Sequence, residues 1–396
     1  MPILADNDRA SLLKEIQQSR VIVVGAGMFG LTIAEQVATK LNLKVLVLDV
    51  RDHIGGNAYS YFDEETGIEI HKYGSHLFHT SNEKVWEYIN KFSTFNNYKH
   101  RVFANYNGNI YSMPINLHTI SQFYGRSLSP IEARQLIDLE VTKTSREEKS
   151  SFKSEAYSKI GKQLYDAFFH GYTLKQWETD PAYLPASIFS RLPVRFNFDS
   201  NYFGDKYQGL PNNGYSALFQ NMISNKNISV SLKTDFFDYK DFIESMSKLI
   251  VYTGPIDRFF NNSQGMLGWR TLDFELETHD IDDFQGTSVV NYVDLARPFT
   301  RIHEFKHMYP ERKHLENKTV VMKEFSRLAK PKDEPYYPIN AESDRKIIKE
   351  YRKMTESIGN QVLFGGRLGS YQYLDMHMAI GSALVMFENE IARMKL

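Results

Sequence analysis

A short β-branched run, Val21 to Val24, gives way to Gly25-Ala26-Gly27-Met28-Phe29-Gly30, and helical spacing of apolar residues then runs from Leu31 to Leu41. This pattern restricts the fold more than any other stretch of the chain. Gly25 permits a tight turn, Gly27 lets the backbone approach a pyrophosphate, and Gly30 lets a helix pack closely on a strand. Lys44 to Leu48 reads as a second buried strand ending at Asp49, which completes a βαβ unit of about thirty residues. The free amides and the helix dipole, equivalent to roughly half a positive charge, suit phosphates. Asp49 is spaced to take ribose hydroxyls. The unit predicts an α/β chain with a Rossmann-type dinucleotide-binding domain.

Composition limits what else the chain can be. At 396 residues it exceeds one compact core, so two or three structural domains are expected. Hydrophobic residues at 42% against 24% charged can fill packed interiors along most of the length. Lys plus Arg total 47 against 48 Asp plus Glu, so there is no net field for nucleic acid or a lipid surface, and an anionic ligand must meet local charge. The absence of cysteine excludes disulfides, thiolate metal sites and a thiol nucleophile. The first ten residues do not resemble a signal peptide, and no apolar run approaches the ~20 residues of a membrane helix. A cytoplasmic protein without membrane insertion is expected.

Three textures follow one another. Residues 10 to 20 look helical and precede the first strand as an extension. From Leu117 to Phe169 apolar residues recur three and four apart, notably over Pro130 to Glu140 and Lys153 to Phe169, which predicts a helical lobe interrupted by an exposed polar connection at 144–151. Alternation over Ser288 to Val293, Arg301 to Phe305 and Thr319 to Phe325 predicts an antiparallel sheet. Gln361 to Phe364 is another buried strand, closed by Gly365 and Gly366, and a helix runs from near Asp375 to the C-terminus. The expected domains are a discontinuous dinucleotide domain over 1–90, 208–258 and 340–396, a helical lobe over 115–190, and an antiparallel sheet domain over 91–114, 191–207 and 259–339.

Arg51 to Asn57 sets the pair Gly55 and Gly56, then Asn57, shortly after Asp49. That extended pattern is typical of flavoproteins related to glutathione reductase and the amine oxidases, and it favours FAD over NAD. At His71-Lys72-Tyr73-Gly74-Ser75-His76-Leu77-Phe78-His79-Thr80 the chain closely resembles the UDP-galactopyranose mutase family. The resemblance continues through Gly171 to Trp177, Arg191 to Phe196, Asn201 to Phe203, Tyr252 to Asp257, Thr300 to Ile302, Glu334 to Pro338 and Gly365 to Leu368.

The resemblance implies an FAD domain, a helical lobe and an antiparallel sheet, with substrate in the cleft between them. It implies that reduced flavin attacks the anomeric carbon through N5, expels UDP and passes through a flavin-iminium intermediate. UDP-galactopyranose and UDP-galactofuranose then interconvert with no net redox change. An external electron donor would keep the FAD reduced, and bacterial relatives are often homodimers. Arg191 and Arg301 match family positions that serve the diphosphate, a role suited to a forked cation that does not deprotonate. Tyr202, Tyr337 and Tyr373 match tyrosines that bond it, Tyr172 matches the residue that stacks on uracil, and Trp177 lies on a segment that closes over the sugar.

The family places His76 and His79 by the flavin, and His79 joins the two arginines as a catalytic candidate. Arg367 would pair with the cofactor, Asp375 and Met376 share its turn, and Tyr252, Gly254 and Gly366 complete the cofactor set. No metal is expected, because the pattern around His76 and His79 is not helical and no third ligand is convincing beyond His71. Two departures stand out: Glu178 where many relatives carry glycine, and Asp49 where flavoproteins commonly carry the longer Glu. An amine-oxidase-like flavin oxidase or desaturase, and a flavin-bound sensor without turnover, remain as alternatives.

Overall fold

The computed structural model describes residues 3–4, 9–142, 151–190, 193–315 and 317–396. Arg191, and the polar connection read at 144–151 apart from its last member, lie outside these residues.

Strand Val21–Val24 is apolar at every position because both of its faces are covered. Val21 and Val23 belong to one core together with helix Met28–Lys40. Ile22 and Val24 belong to a second core, to which helix Arg9–Gln18 contributes Leu12 and Ile16. The N-terminal extension is therefore a cover for one sheet face. Val45–Leu48 and Leu249–Tyr252 flank the first strand, Ile228–Ser231 and Val362–Phe364 form the edges, and every neighbouring pair is parallel. A parallel sheet needs apolar cover on both sides, and the two cores supply it. Val24 lies opposite both Leu48 and Tyr252, so Gly25, Asp49 and Thr253 emerge side by side at the carboxyl edge, where open α/β sheets place their ligands.

A second sheet of seven strands runs in the order Tyr337–Pro338, Trp269–His279, Thr319–Leu328, Arg301–Glu304, Val289–Tyr292, Val102–Tyr106, Asn109–Met113. The expected antiparallel pattern holds for every neighbouring pair except one, since Val289–Tyr292 pairs with Val102–Tyr106 in parallel. These two strands come from distant parts of the chain, so no tight turn between them imposes the antiparallel direction.

The helical lobe contains Leu117–Phe123, Pro130–Thr142, Phe152–Tyr165, Gly171–Trp177 and Ala186–Ser190 around a core that includes Leu164, Phe168 and Phe189. A π-helical turn, Asp166–His170, re-aims the chain directly into Gly171–Trp177. The C-terminal helix read from Asp375 onward spans Met376–Asn389 and ends in one 3-10 turn, Ile391–Arg393. Among the described residues no helix is long and apolar enough to cross a membrane.

Gly25 has φ +107°, in the left-handed region, and a Cβ there would lie 2.0 Å from Thr253 Oγ1. On Gly30 a Cβ would fall 2.0 Å from the Gly25 carbonyl oxygen, so the helix can approach the strand only without a side chain at that position. Gly30→Ala is expected to destabilise the fold by about 1–3 kcal/mol through overpacking against backbone. A urea midpoint equal to that of the parent would show that the approach is not as close as described.

Candidate active site

Helix Met28–Lys40 begins at Gly27, which is extended and provides no side-chain cap. Leu31 N donates to Gly27 O at 2.9 Å, so the first-turn N–H groups of Met28, Phe29 and Gly30 precede this bond and face outward, as an anion site requires. The second glycine turn is pinned over the first: Gly55 N donates to Ala26 O at 2.8 Å, and a Cβ on Gly56 would stand 3.0 Å from Gly27 Cα. Asp49 joins the turns, with Oδ2 accepting from Ala26 N at 2.6 Å and Oδ1 from Arg51 N at 2.9 Å. Burial raises its pKa, and those two N–H groups work in the opposite direction. Asn57 Oδ1 accepts from Arg51 Nη2 at 2.8 Å, and Arg51 also pairs with Glu334.

Tyr252, one of the expected cofactor residues, has its side chain in the second core. The ring is 1% exposed and packs among Phe236, Phe259 and Phe364, and its hydroxyl donates to Pro255 O at 3.2 Å. Alternation along a parallel strand turned this ring into the second core, so only its backbone faces the site. Gly254 leaves room for that hydroxyl, since a Cβ there would lie 2.6 Å from it.

Beyond this edge a cavity of about 540 Å³ opens between the rest of the dinucleotide part, the seven-stranded sheet and the helical lobe. The lobe contributes Tyr172 and Trp177, and the seven-stranded sheet contributes Arg301 and Tyr337. Tyr202 enters from the segment after the lobe. His79 comes from strand Phe78–Thr80, and His76, Arg367, Tyr373, Asp375 and Met376 from loops and helix ends of the dinucleotide part. Phe29 links the two regions: a Cβ on Gly365 would be 2.2 Å from its Cζ, Gly366 packs beside it, and the next residue is Arg367.

Arg301 faces Glu324 as its direct cross-strand partner. Its Nε lies 3.3 Å from Glu324 Oε1 yet is buried without a hydrogen bond, while Nη2 donates to the Tyr172 hydroxyl. Burial opposes the charge on Arg301, but Glu324 and then Tyr172, Tyr337 and Tyr202 raise its pKa well above the ordinary value. Burial likewise opposes the Glu324 anion, but Arg301 and His303 bring its pKa down to about 2. His303 Nε2 meets Glu324 Oε2 at 3.0 Å and its Nδ1 meets Ser75 Oγ at 2.6 Å. Burial pushes the Tyr172 phenol up to about 12 and also raises Tyr337 and Tyr373, so all three present neutral O–H donors at neutral pH. Tyr337 and Tyr373 stack at 5.8 Å, with the Arg367 guanidinium 5.1 Å from the Tyr373 ring centre.

His79 stacks on Phe203 at 3.7 Å, and Asp205 Oδ2 holds its Nδ1 at 2.6 Å. That contact leaves Nε2 for a ligand. The histidines read together as 71, 76 and 79 do not converge. The fold instead gathers His79, Asp375 and His377, whose ligand-type atoms lie within 4.8 Å of one another. Glu324, His303, His100 and Asp205 were not singled out from sequence. An inward charged residue on the alternating strand 319–328 was a usable signal for Glu324, whereas Asp205 lies in a segment without periodicity.

Burial lowers His71 to about 4, and His76 and His100 to about 3. Folded-state values below the unfolded one mean that the unfolded chain binds more protons, so stability is complete above pH ~6.5 and falls as the pH drops toward 3–4. Each histidine should contribute a slope of about 1.4 kcal/mol per pH unit within that window. Thermal midpoints measured from pH 7 to pH 4 should fall steeply, and a flat profile would contradict the burial of these rings.

Comparison with known proteins agrees with this geometry. Residues 167–373 match the family model for UDP-galactopyranose mutase, and residues 23–92 match an NAD(P)-binding Rossmann-like domain. The probable UDP-galactopyranose mutase of Klebsiella pneumoniae is 44% identical over 371 residues, covering 93% of this chain and 94% of that protein. The dTDP-fucopyranose mutase of Escherichia coli is also 44% identical, covering 92% of this chain and 97% of its own. A crystal structure of reduced UDP-galactopyranose mutase shares the fold with a TM-score of 0.72 at 14% identity, over 96% of this chain and 95% of that one. With a family model over residues 167–373 and relatives this similar over nearly the full length, the chain belongs to the UDP-galactopyranose mutase family.

Proposed function

We propose that the chain interconverts UDP-galactopyranose and UDP-galactofuranose with reduced FAD as cofactor, and that an external donor supplies the electrons. The carrying observation is the cavity itself, in which the incompletely hydrogen-bonded Arg301 stands among Tyr172, Tyr202, Tyr337 and Tyr373. A diphosphate brings the acceptors that this set of donors lacks.

The glycine cradle suits the pyrophosphate of FAD, because a side chain on Gly56 would fill the space over Gly27. Asp49 keeps a lone pair on each oxygen for ribose hydroxyls. The route past Phe29 and Gly366 leads to Arg367, so the flavin end would lie by His76, Arg367, Asp375 and Met376. The chemistry a bound, reduced flavin supplies is a nucleophilic nitrogen for the anomeric carbon.

The protein's part is binding, orientation and charge. Arg301, already neutralised by Glu324, donates to the phosphoryl oxygens and stabilises the extra charge they acquire when the sugar bond breaks. Arg191 is assigned the same task from its motif. The tyrosine hydroxyls supplement the cations as neutral donors, and the Tyr172 ring offers a face to uracil. Trp177 covers the sugar and limits water, which would otherwise hydrolyse an opened intermediate. His79, fixed through Nδ1, presents Nε2 to the same space.

The equal identity to the dTDP-fucopyranose mutase supports a second reading, in which the sugar lacks its 6-hydroxyl and the base is thymine. Both substrates share the diphosphate, so the donor cluster fits either. Incubation with dithionite and UDP-galactofuranose, resolved by chromatography, should yield UDP-galactopyranose only when the flavin is reduced. Faster turnover of dTDP-fucofuranose would reassign the substrate, and no conversion of either would sink the proposal. Arg301→Ala and Arg191→Ala should each lower turnover at limiting substrate by about one to two orders of magnitude, from loss of a charge-assisted bond of ~1.5–3 kcal/mol. Near-parent rates in both variants would refute their assignment to the diphosphate.

A further inference from the structure

Helix Gly171–Trp177 carries three cavity residues, Tyr172, Thr173 and Trp177, and its C-terminal end is tied to the seven-stranded sheet. Lys175 Nζ donates to three carbonyls of the 292–299 turn: Tyr292 at 2.6 Å, Phe299 at 2.9 Å and Arg297 at 3.0 Å. Ser326 Oγ donates to Gln176 O at 2.8 Å. Arg270 Nη1 donates to Trp177 O at 3.2 Å and to Glu178 Oε2 at 2.9 Å, and the same carboxylate oxygen accepts from Leu328 N at 2.8 Å.

Two features make Glu178 and Arg270 more than a surface contact. Arg270 is 1% exposed, and a guanidinium so placed needs a neutralising partner, which Glu178 supplies. Glu178 in turn occupies the left-handed position that ends the helix, with φ 49° and ψ 31°, where glycine is the unstrained residue. A glycine would relax the backbone and abandon the buried cation. The backbone of Arg270 also reaches a second cavity residue, since it pairs in register with Tyr337. One residue thus grips the end of the Trp177 helix through its side chain and aligns Tyr337 through its strand.

We propose that Glu178 and Arg270 are positioning residues that hold Trp177 in the cavity wall before substrate arrives. Glu178 acts as a latch in place of a flexible joint, and Arg270 keeps the Trp177 and Tyr337 walls in register. This rests on the reading of the cavity as the nucleotide-sugar site.

The test compares Glu178→Ala, Glu178→Gln and the double variant Glu178→Ala/Arg270→Met by amide hydrogen exchange of residues 171–178 in substrate-free protein, by thermal midpoint, and by kcat and KM separately. Glu178→Ala should speed exchange in that segment and raise KM by about tenfold each, with kcat changed far less, and Glu178→Gln should recover part of both. The double variant, which leaves no unpaired charge, should recover the thermal midpoint but not the KM. A lower midpoint with parent-like exchange and KM would overturn the proposal, as would recovery of KM in the double variant. If the parent itself turns over no nucleotide sugar, the functional reading fails, and exchange in 171–178 alone still decides whether the pair holds the helix.

Discussion

A cation can wait in a desolvated cavity for an anionic ligand only if something neutralises it without using up its donors. The cross-strand pair of Arg301 and Glu324 meets that condition. Glu324 is 2% exposed and is itself held by His303, which is braced by Ser75. Isolated, either charge would be costly at that depth, and breaking such a pair leaves the other member uncompensated. Antiparallel register puts the two side chains on one face of neighbouring strands, so the pairing is a property of the sheet and needs no mobile element. The phenols around it remain protonated because burial raises their pKa, and the cavity therefore keeps several neutral donors beside the Arg301 cation.

The parallel sheet positions the other half of the site by the same kind of constraint. Its central strands end in register, and the turns that follow cross so closely that a Cβ on Gly56 would stand 3.0 Å from Gly27 Cα. Phe29 carries that arrangement forward, because its ring fills the space against Gly365 and leads to the turn bearing Arg367. Cradle and cavity are thus built from one continuous packing arrangement, although their residues lie hundreds of positions apart in the chain.

Much of this was legible in the sequence, for reasons that differ by residue. Strand, glycine turn and helix could be read around Gly25 because steric limits at the turn act locally. The three textures could be read because burial imposes periods of 2 or 3.6 on apolar residues. Arg301 and the tyrosines were found by resemblance to a family, since no local rule distinguishes them from surface or core residues. For Tyr252 the motif Tyr-Thr-Gly-Pro does not say which sheet face the ring takes, and the ring lies in the second core. The parallel pairing of Val289–Tyr292 with Val102–Tyr106 was missed, since nothing local marks a partner so far away. Asp205, His100 and Arg270 were not legible, because what defines them is a partner across the fold.

Arg270 and Arg301 show how the fold gives one residue type two roles. Their strands flank Thr319–Leu328 on either side, and both pair with a glutamate. Arg270 spends its donors within the protein: Nε and Nη2 meet Ser326 Oγ at 3.4 and 3.1 Å, and Nη1 serves Trp177 O and Glu178. Four of its five N–H groups are used within the protein and it does not line the cavity, so its effect must pass through what it holds. Arg301 donates one described hydrogen bond, from Nη2 to the Tyr172 hydroxyl, and lines the cavity. Saturation of donors, more than burial or charge, separates the arginine that shapes the site from the one that meets what enters it.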